Sequence, residues 1–208
     1  KQVVGNSMLN SGQSCNALTR LLLPSEHYDE YCDAIKNAVA EVTVDMPKNV
    51  AYMGPVASNV QFEKVQQFIE LGQKQGATLL TGGLGKPRGL ERGCFVKPTV
   101  FADVTTDMSI ANDEIFGPVL SIMKYDSLEQ AIDIANDSDY GLSGYVWSSD
   151  EQQAVEIAGR IRTGMVHING SGLDSAAPFG GFKQSGNGRE WGEHGLNEFL
   201  EYQSIYMP

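Results

Sequence analysis

Val119-Leu-Ser-Ile-Met-Lys-Tyr125, followed at once by Ser127-Leu-Glu-Gln-Ala-Ile-Asp-Ile-Ala135, carries the reading of the fold. The first stretch is an apolar run of strand length. The second opens at Ser127 and sets Leu128, Ala131, Ile132 and Ala135 on one helical face. The same alternation recurs outward in both directions. Upstream, residues 18–23 read as a strand closed by Pro24. Ser25 is then expected to cap a helix whose Tyr28, Tyr31, Cys32, Ile35 and Val39 share a face. Ser58-x-x-Gln61 has the form of a capping box. It opens a second helix with Phe62, Val65, Ile69 and Gly72 inside and Gly76 at its stop. Residues 78–81 and 95–101 read as strands, separated by the turn-rich Gly82-Gly-Leu-Gly-Lys-Pro87. Downstream, residues 145–147 and 165–169 are short strands on either side of a helix over 149–162. Strands spaced by helices of this length predict an α/β three-layer sandwich, a mostly parallel sheet with helices on both faces. The final Glu201-Tyr-Gln-Ser-Ile-Tyr206 is strand-like and lacks a partner in its own unit, so it is read as an arm strand that adds to another sheet.

The 208 residues suffice for one domain with its own core, or one domain with an arm. No apolar run approaches the ~20 residues of a membrane-spanning helix, so no membrane partner is expected. Acidic residues outnumber basic ones 26 to 15. That argues against a nucleic-acid surface, because phosphate backbones are met by basic faces. Cys15, Cys32 and Cys94 offer neither an even count nor CxxC spacing, so no disulfide framework and no metal site is predicted. A reducing, cytoplasmic setting is the simplest companion of that pattern. The chain opens Lys-Gln-Val-Val, without an initiator Met or a signal-peptide pattern, and is read as a cut end with sequence missing before it.

Cys15 stands apart from the other two thiols. It lies in Asn10-Ser-Gly-Gln-Ser-Cys-Asn16, among small and polar residues, where a loop can present a nucleophile from a rigid scaffold. An incidental loop cysteine is the alternative. Cys32 belongs to an apolar helical face and Cys94 to a strand entrance, so both read as structural. A cysteine nucleophile works as the thiolate and needs help from backbone N–H groups, a helix terminus, a cation or a base. His27, His167 and His194 are the candidate bases, and a Cys/His hydrolase stays open on these grounds.

Asn10-Ser-Gly-Gln-Ser-Cys15, Glu114-Ile-Phe-Gly-Pro-Val119 and Pro178-Phe-Gly-Gly-Phe-Lys-Gln-Ser-Gly-Asn-Gly-Arg-Glu190 together resemble the aldehyde dehydrogenase superfamily. The segments fall in the family's order and at similar spacing, and the resemblance covers essentially the whole chain. It implies the C-terminal part of such an enzyme: a catalytic domain over 1–199 and an oligomerisation strand over 200–208, with the nucleotide-binding domain absent from this chain. It also implies a homodimer or homotetramer.

By the same resemblance Cys15 is the nucleophile that adds to an aldehyde carbonyl. Hydride then passes to NAD or NADP, and a thioester is hydrolysed to the acid. Glu114 and Phe116 match residues that position the nicotinamide half of the cofactor, and Gln61 and Lys64 match further ribose-facing positions. The plainer readings of these side chains are a helix-end carboxylate, a capping-box Gln and a solvated Lys. Phe179 matches an aromatic wall of the aldehyde channel. Residues 170–177 line it, with Leu173 as their bulky apolar side chain. Ser14 and Asn16 flank the nucleophile and shape the pocket. Ser185-Gly-Asn-Gly-Arg-Glu190 looks like a phosphate loop, but no strand leads into it, and it is read as a packing and turn element.

The family's general base and oxyanion amide precede the nucleophile, so the 208 residues alone are expected to be inactive. Two rival readings are a non-catalytic assembly module that works through its terminal strand, and a related thiol reductase of acyl phosphates or acyl-CoA. The Ser-Gly-Gln-Ser-Cys context and the complete Pro178–Gly186 segment favour aldehyde oxidation over the reductase.

Overall fold

Residues 1–134 and 135–208 form two units of the computed structural model, which describes residues 1–208. The first unit holds α1 (Gln2–Met8), β1 (Arg20–Pro24), α2 (Tyr28–Ala40), α3 (Asn59–Lys74), β2 (Thr78–Thr81), β3 (Thr99–Ala102), α4 (Ser109–Asn112) and β4 (Val119–Tyr125). Helix α5 (Leu128–Asn136) begins in it and ends in the second unit. The four strands form one sheet in the order β1-β4-β3-β2, with β4 parallel to both β1 and β3, and β2 antiparallel on the edge.

The alternation of side chains along β4 sorts the layers. Leu120 and Ile122 join Leu21, Leu23, Val100 and Ala102 against Val4 and Met8 of α1 and Tyr28, Cys32, Ile35 and Val39 of α2. Val119 and Met123 join Phe101 on the other face, against Val65 and Ile69 of α3 and Ile110 and Ala111 of α4. A strand covered on both faces reads as a near-continuous apolar run, and Val119 to Met123 of β4 is apolar and buried except for the buried Ser121. Each fully buried aliphatic side chain contributes about 1.5–3 kcal/mol relative to exposure, so the three-layer arrangement is held chiefly by these two clusters.

Several element ends differ from the sequence expectation. Strand β3 begins at Thr99 rather than residue 95. Phe95 and Val96 are buried, but Pro98 has no N–H to give to a ladder. Ser25 opens a short 3-10 turn (Ser25–His27), and its hydroxyl caps nothing; His27 occupies the N-cap position of α2. Tyr31 is exposed, so the inner stripe of α2 is Tyr28, Cys32, Ile35 and Val39. Ser58 does cap α3, its Oγ accepting from Gln61 N at 3.1 Å, but the Gln61 side chain does not reach back and is used elsewhere.

The second unit holds β5 (Tyr140–Gly141), β6 (Ser143–Val146), α6 (Glu151–Ala158), β7 (Met165–Ile168), β8 (Phe182–Lys183) and α7 (Gly192–Asn197). Strands β6 and β7 pair in parallel, and β5 and β8 pair antiparallel. The expected single run of sheet is thus one four-stranded sheet in the first unit and two strand pairs in the second. Helix α6 is capped by the Asp150 carboxylate, which accepts from Gln152 N and Gln153 N, and it stops before Gly159. The Gly-rich stretch closes on itself: Phe179 and Glu190 exchange two N–H···O bonds of 2.7 Å, and Arg189 Nη1 donates to Gly181 O at 2.9 Å. Residues 201–208 carry no strand pairing within the chain and are exposed. No helix is long and apolar enough to cross a membrane.

Tyr28 ties the α2 layer to the sheet. Its hydroxyl accepts from the Asp103 N–H at 2.7 Å and donates to Ile122 O at 3.4 Å. Burial pushes the Tyr28 phenol well above its ordinary value, and burial likewise raises the Cys32 thiol one turn further along. Both acids are held neutral by the fold, so the unfolded chain releases their protons first as the pH rises. The stability they contribute is whole below the unfolded values, about 8.5 for a thiol and about 10 for a phenol. It is lost as the pH climbs past them. Urea unfolding from about pH 8 to about pH 11 should therefore show a falling unfolding free energy. The fall should be shallower in Cys32→Ala and in Tyr28→Phe; the wild-type slope in both variants would rule this coupling out.

Candidate active site

The segment that presents Cys15 is a tight reversal. After α1 the chain passes through three consecutive left-handed residues, Asn10 (φ 50°), Ser11 (φ 57°) and Gly12 (φ 71°). Left-handed backbone costs ordinary residues about 1–2 kcal/mol each, and local bonds offset it. Asn10 Nδ2 donates to Gln13 O at 2.9 Å, and the buried Ser11 hydroxyl donates to Gly54 O at 2.8 Å. Cys15 follows, exposed, between Ser14 and Asn16. Those neighbours bond each other, Ser14 Oγ to Asn16 Oδ1 at 2.6 Å, and Ala17 N donates to Ser14 O at 3.0 Å to close the turn.

A second segment, Glu114 to Pro118, lies directly against this reversal. A Cβ on Gly12 would overlap the Gly117 carbonyl and stand 2.7 Å from Pro118 N. A Cβ on Gly117 would in turn overlap a methyl of Val65. Gly12, Gly117 and Val65 are therefore stacked, backbone on backbone on side chain, and both glycines are required by the closeness of approach. Phe116 itself is left-handed (φ 56°), an uncommon conformation for a bulky residue. It is fixed by Gln61 Nε2, which donates to Phe116 O at 2.7 Å and to Ile115 O at 3.0 Å. Lys64 Nζ, one turn along α3, donates to Glu114 O at 2.7 Å. The Glu114 side chain is exposed and the Phe116 side chain half-buried.

The strip thus offers a carboxylate acceptor, an aromatic ring and an ammonium group within three consecutive residues and one helical turn. That donor and acceptor set fits a sugar with vicinal hydroxyls joined to a flat ring. Gln61 and Lys64, expected from sequence to face a ribose, here end on the backbone that shapes the strip. Leu173 and Phe179 belong to the second unit, where Leu173 is exposed and the Phe179 ring lies 5.1 Å from that of Trp191.

Within the first unit no histidine bonds Cys15. His27 Nδ1 lies 3.8 Å from a Glu30 carboxylate oxygen, His167 is buried with Nδ1 2.8 Å from Ser171 O, and His194 lies in α7. His27, the histidine of the first unit, forms no Cys/His pair with Cys15. Cys32 is in the core, and Cys94 Sγ is 3.9 Å from Asn59 Oδ1. Ser11, Gly12, Gly117 and Val65 were not singled out as site residues by the sequence, which placed Val65 only in the inner stripe of α3 and the other three within quoted motifs. The signal available was a glycine in each of two motifs, which marks close approach without saying to what.

The description of the aldehyde dehydrogenase family matches residues 1–205. The chain belongs to that family. It is 52% identical over 206 residues to a 3-succinoylsemialdehyde-pyridine dehydrogenase of a Pseudomonas species, covering 99% of this chain and 43% of the relative. Among solved structures it superposes on a Mycobacterium tuberculosis aldehyde dehydrogenase complexed with NAD+, with TM-score 0.96 and 45% identity, covering 100% of this chain and 43% of that one. A Pseudomonas syringae aldehyde dehydrogenase mutant complexed with NAD+ and octanal gives TM-score 0.94 and 42% identity, covering 96% of this chain and 41% of that one. The chain thus spans less than half the length of these aldehyde dehydrogenases.

The interlock of the two aldehyde dehydrogenase segments is testable by adding one methyl group. Gly12→Ala should lower the unfolding free energy by about 2–4 kcal/mol, summing backbone strain and overpacking. Gly76→Ala is the control, since Gly76 is also left-handed (φ 98°) but a Cβ there meets nothing within 4 Å. Equal losses for the two variants in urea unfolding would show that the Gly12–Gly117 contact is not tight.

Proposed function

We propose that the intact protein carrying this chain oxidises an aldehyde to a carboxylic acid with NAD or NADP, and that Cys15 is its nucleophile. One observation carries the reading: an exposed thiol three residues beyond a rigid reversal, locked by Gly12 and Gly117 to a strip suited to a nicotinamide riboside. The NAD+ and octanal complexes of its relatives support the same assignment.

In this mechanism the Cys15 thiolate adds to the aldehyde carbon, and the carbonyl electrons move onto oxygen. The Cys15 N–H donates to no carbonyl of the chain and so remains free to hold that oxyanion. A bound oxidised nicotinamide supplies the acceptor for the hydride that leaves the same carbon. As the oxygen electrons reform the carbonyl, Cys15 keeps the acyl group as a thioester. Water then adds, and the thiolate departs from the acid. Glu114 would accept from the ribose hydroxyls, and Phe116 would pack on the sugar or the flat ring. Gln61 and Lys64 hold the strip through its carbonyls and would lie beside the same ribose. Ser14 and Asn16 shape the pocket at the thiol; in the second unit Leu173 and Phe179 are the positions the family resemblance would assign to an aldehyde channel.

Residues 1–199 act as the C-terminal catalytic domain, and the nucleotide-binding domain lies outside this chain. Residues 200–208 act as an arm strand that joins a homodimer or homotetramer. Their exposed Tyr202, Ile205, Tyr206 and Met207 support that role. Three free thiols accord with a cytoplasmic setting.

In the full-length protein, Cys15→Ala should lower aldehyde-dependent NAD(P)H formation by roughly 10³-fold or more. Retained turnover would refute the assignment of the nucleophile. The 208 residues by themselves should give no such turnover, while iodoacetamide still alkylates Cys15. Robust dehydrogenase activity from them would show that the site is complete within the chain.

A further inference from the structure

The Gln13 side chain is engaged at both ends of its amide. Its Oε1 accepts from the Ala57 N–H at 2.8 Å, and its Nε2 donates to the Asn10 carbonyl at 3.1 Å. A donor on one side and an acceptor on the other leave a single orientation for the amide. The Gln13 backbone is fixed as well: its N–H donates to Asn10 O at 3.1 Å, and its carbonyl accepts from Asn10 Nδ2 at 2.9 Å. Every polar group of Gln13 is therefore bonded, two residues before Cys15. Ser14, the next residue, bonds only locally, to Asn16 and Ala17.

The far end of this tether matters as much as the near one. Ala57 directly precedes Ser58, the N-cap of α3. The first turns of α3 carry Gln61 and Lys64, which hold the carbonyls of Ile115, Phe116 and Glu114. A continuous run of directional bonds thus leads from the Cys15 segment, through Gln13, Ala57 and α3, to the strip that bears Glu114 and Phe116. The Gly12–Gly117 contact limits how closely the two segments approach. A van der Waals contact resists compression but not sliding or rotation, whereas hydrogen bonds fix direction.

We infer that Gln13 is a positioning residue that fixes Cys15 relative to the Glu114–Phe116 strip, acting through Ala57 and the start of α3. The inference rests on the reading of Cys15 as the nucleophile. Glutamine suits the task because one planar group supplies both an acceptor for the Ala57 N–H and a donor to Asn10 O.

Two variants of the full-length enzyme separate the parts of the tether. Gln13→Met keeps the length and removes both side-chain bonds. Gln13→Glu keeps the acceptor for Ala57 N–H and loses the donor to Asn10 O. In Gln13→Met, kcat should fall roughly tenfold or more while KM for the cofactor stays within about twofold, as for a displaced nucleophile beside an intact binding site. In the same variant the amides of Gln13, Ala17 and Ala57 should exchange with deuterium about tenfold faster, as local opening becomes easier. Gln13→Glu should recover the Ala57 protection and most of kcat.

Wild-type kcat in Gln13→Met, or a kcat loss matched by a rise in cofactor KM, would overturn the inference. So would unchanged exchange at Gln13, Ala17 and Ala57, or a Gln13→Glu variant no better than Gln13→Met. If the wild-type enzyme itself forms no NAD(P)H from aldehydes, the functional reading fails, and the exchange data alone decide whether Gln13 orders the Cys15 segment.

Discussion

The closest constraint in the first unit is the meeting of two backbones, Gly12 against the carbonyl of Gly117. A side chain on Gly12 would displace the Gly117 segment, and one on Gly117 would displace Val65 of α3. Much of the local geometry follows from that approach. To bring Gly12 onto Gly117, the chain leaving α1 turns through three left-handed residues. To receive it, Phe116 also adopts a left-handed backbone, which sets the direction of its ring relative to Glu114. Two segments about a hundred residues apart in sequence are thereby held at van der Waals distance, one bearing the thiol and the other the carboxylate and ring.

Helix α3 is the shared support. Val65 and Ile69 are fully buried in the cluster beneath the sheet. Gln61 and Lys64 precede Val65 by four residues and by one. Gln61 and Val65, four apart, therefore lie on the same side of the helix. Val65 packs in the core and also meets Gly117, so the position of the site segment is referred directly to the hydrophobic core. A site built against a packed helix is held more closely than one resting on loops alone. This explains why two long polar side chains of α3 are spent on backbone carbonyls. Left-handed and irregular backbone leaves carbonyls outside any ladder, and buried or half-buried carbonyls need donors.

The layers were legible because burial on two faces and burial on one leave different periods in the sequence. The nearly unbroken apolar run Val119–Met123 of β4, with only Ser121 polar, and the spaced apolar positions of α2 and α3 are cases of each. The ends of elements were less legible because they turn on single groups: the missing N–H of Pro98 delays β3, and the Asp150 carboxylate opens α6. At the site, Cys15 was visible as a thiol off any apolar stripe, but its partners came from family resemblance and not from spacing. Gln61 shows why. Its place at the third position of α3 suggested a capping box, since sequence gives the residue type and its neighbours but not a carbonyl presented by a segment more than fifty residues away.

The reversal before Cys15 does not stabilise itself. Asn10 and Ser11 each carry about 1–2 kcal/mol of left-handed strain. Of their side-chain hydrogen bonds only that of Asn10 to Gln13 O is local, and it returns about 0.5–1.5 kcal/mol. The local balance is therefore unfavourable, and a turn that its own bonds do not support persists only if its surroundings select it. Those surroundings are Gly54, which accepts from Ser11, and Ala57, which donates to Gln13, both lying between α2 and α3. Gly117 closes the third side. The thiol segment is thus shaped from outside, by residues with no reactive group of their own. Its geometry is as much a property of 54–57 and 114–118 as of the sequence around Cys15.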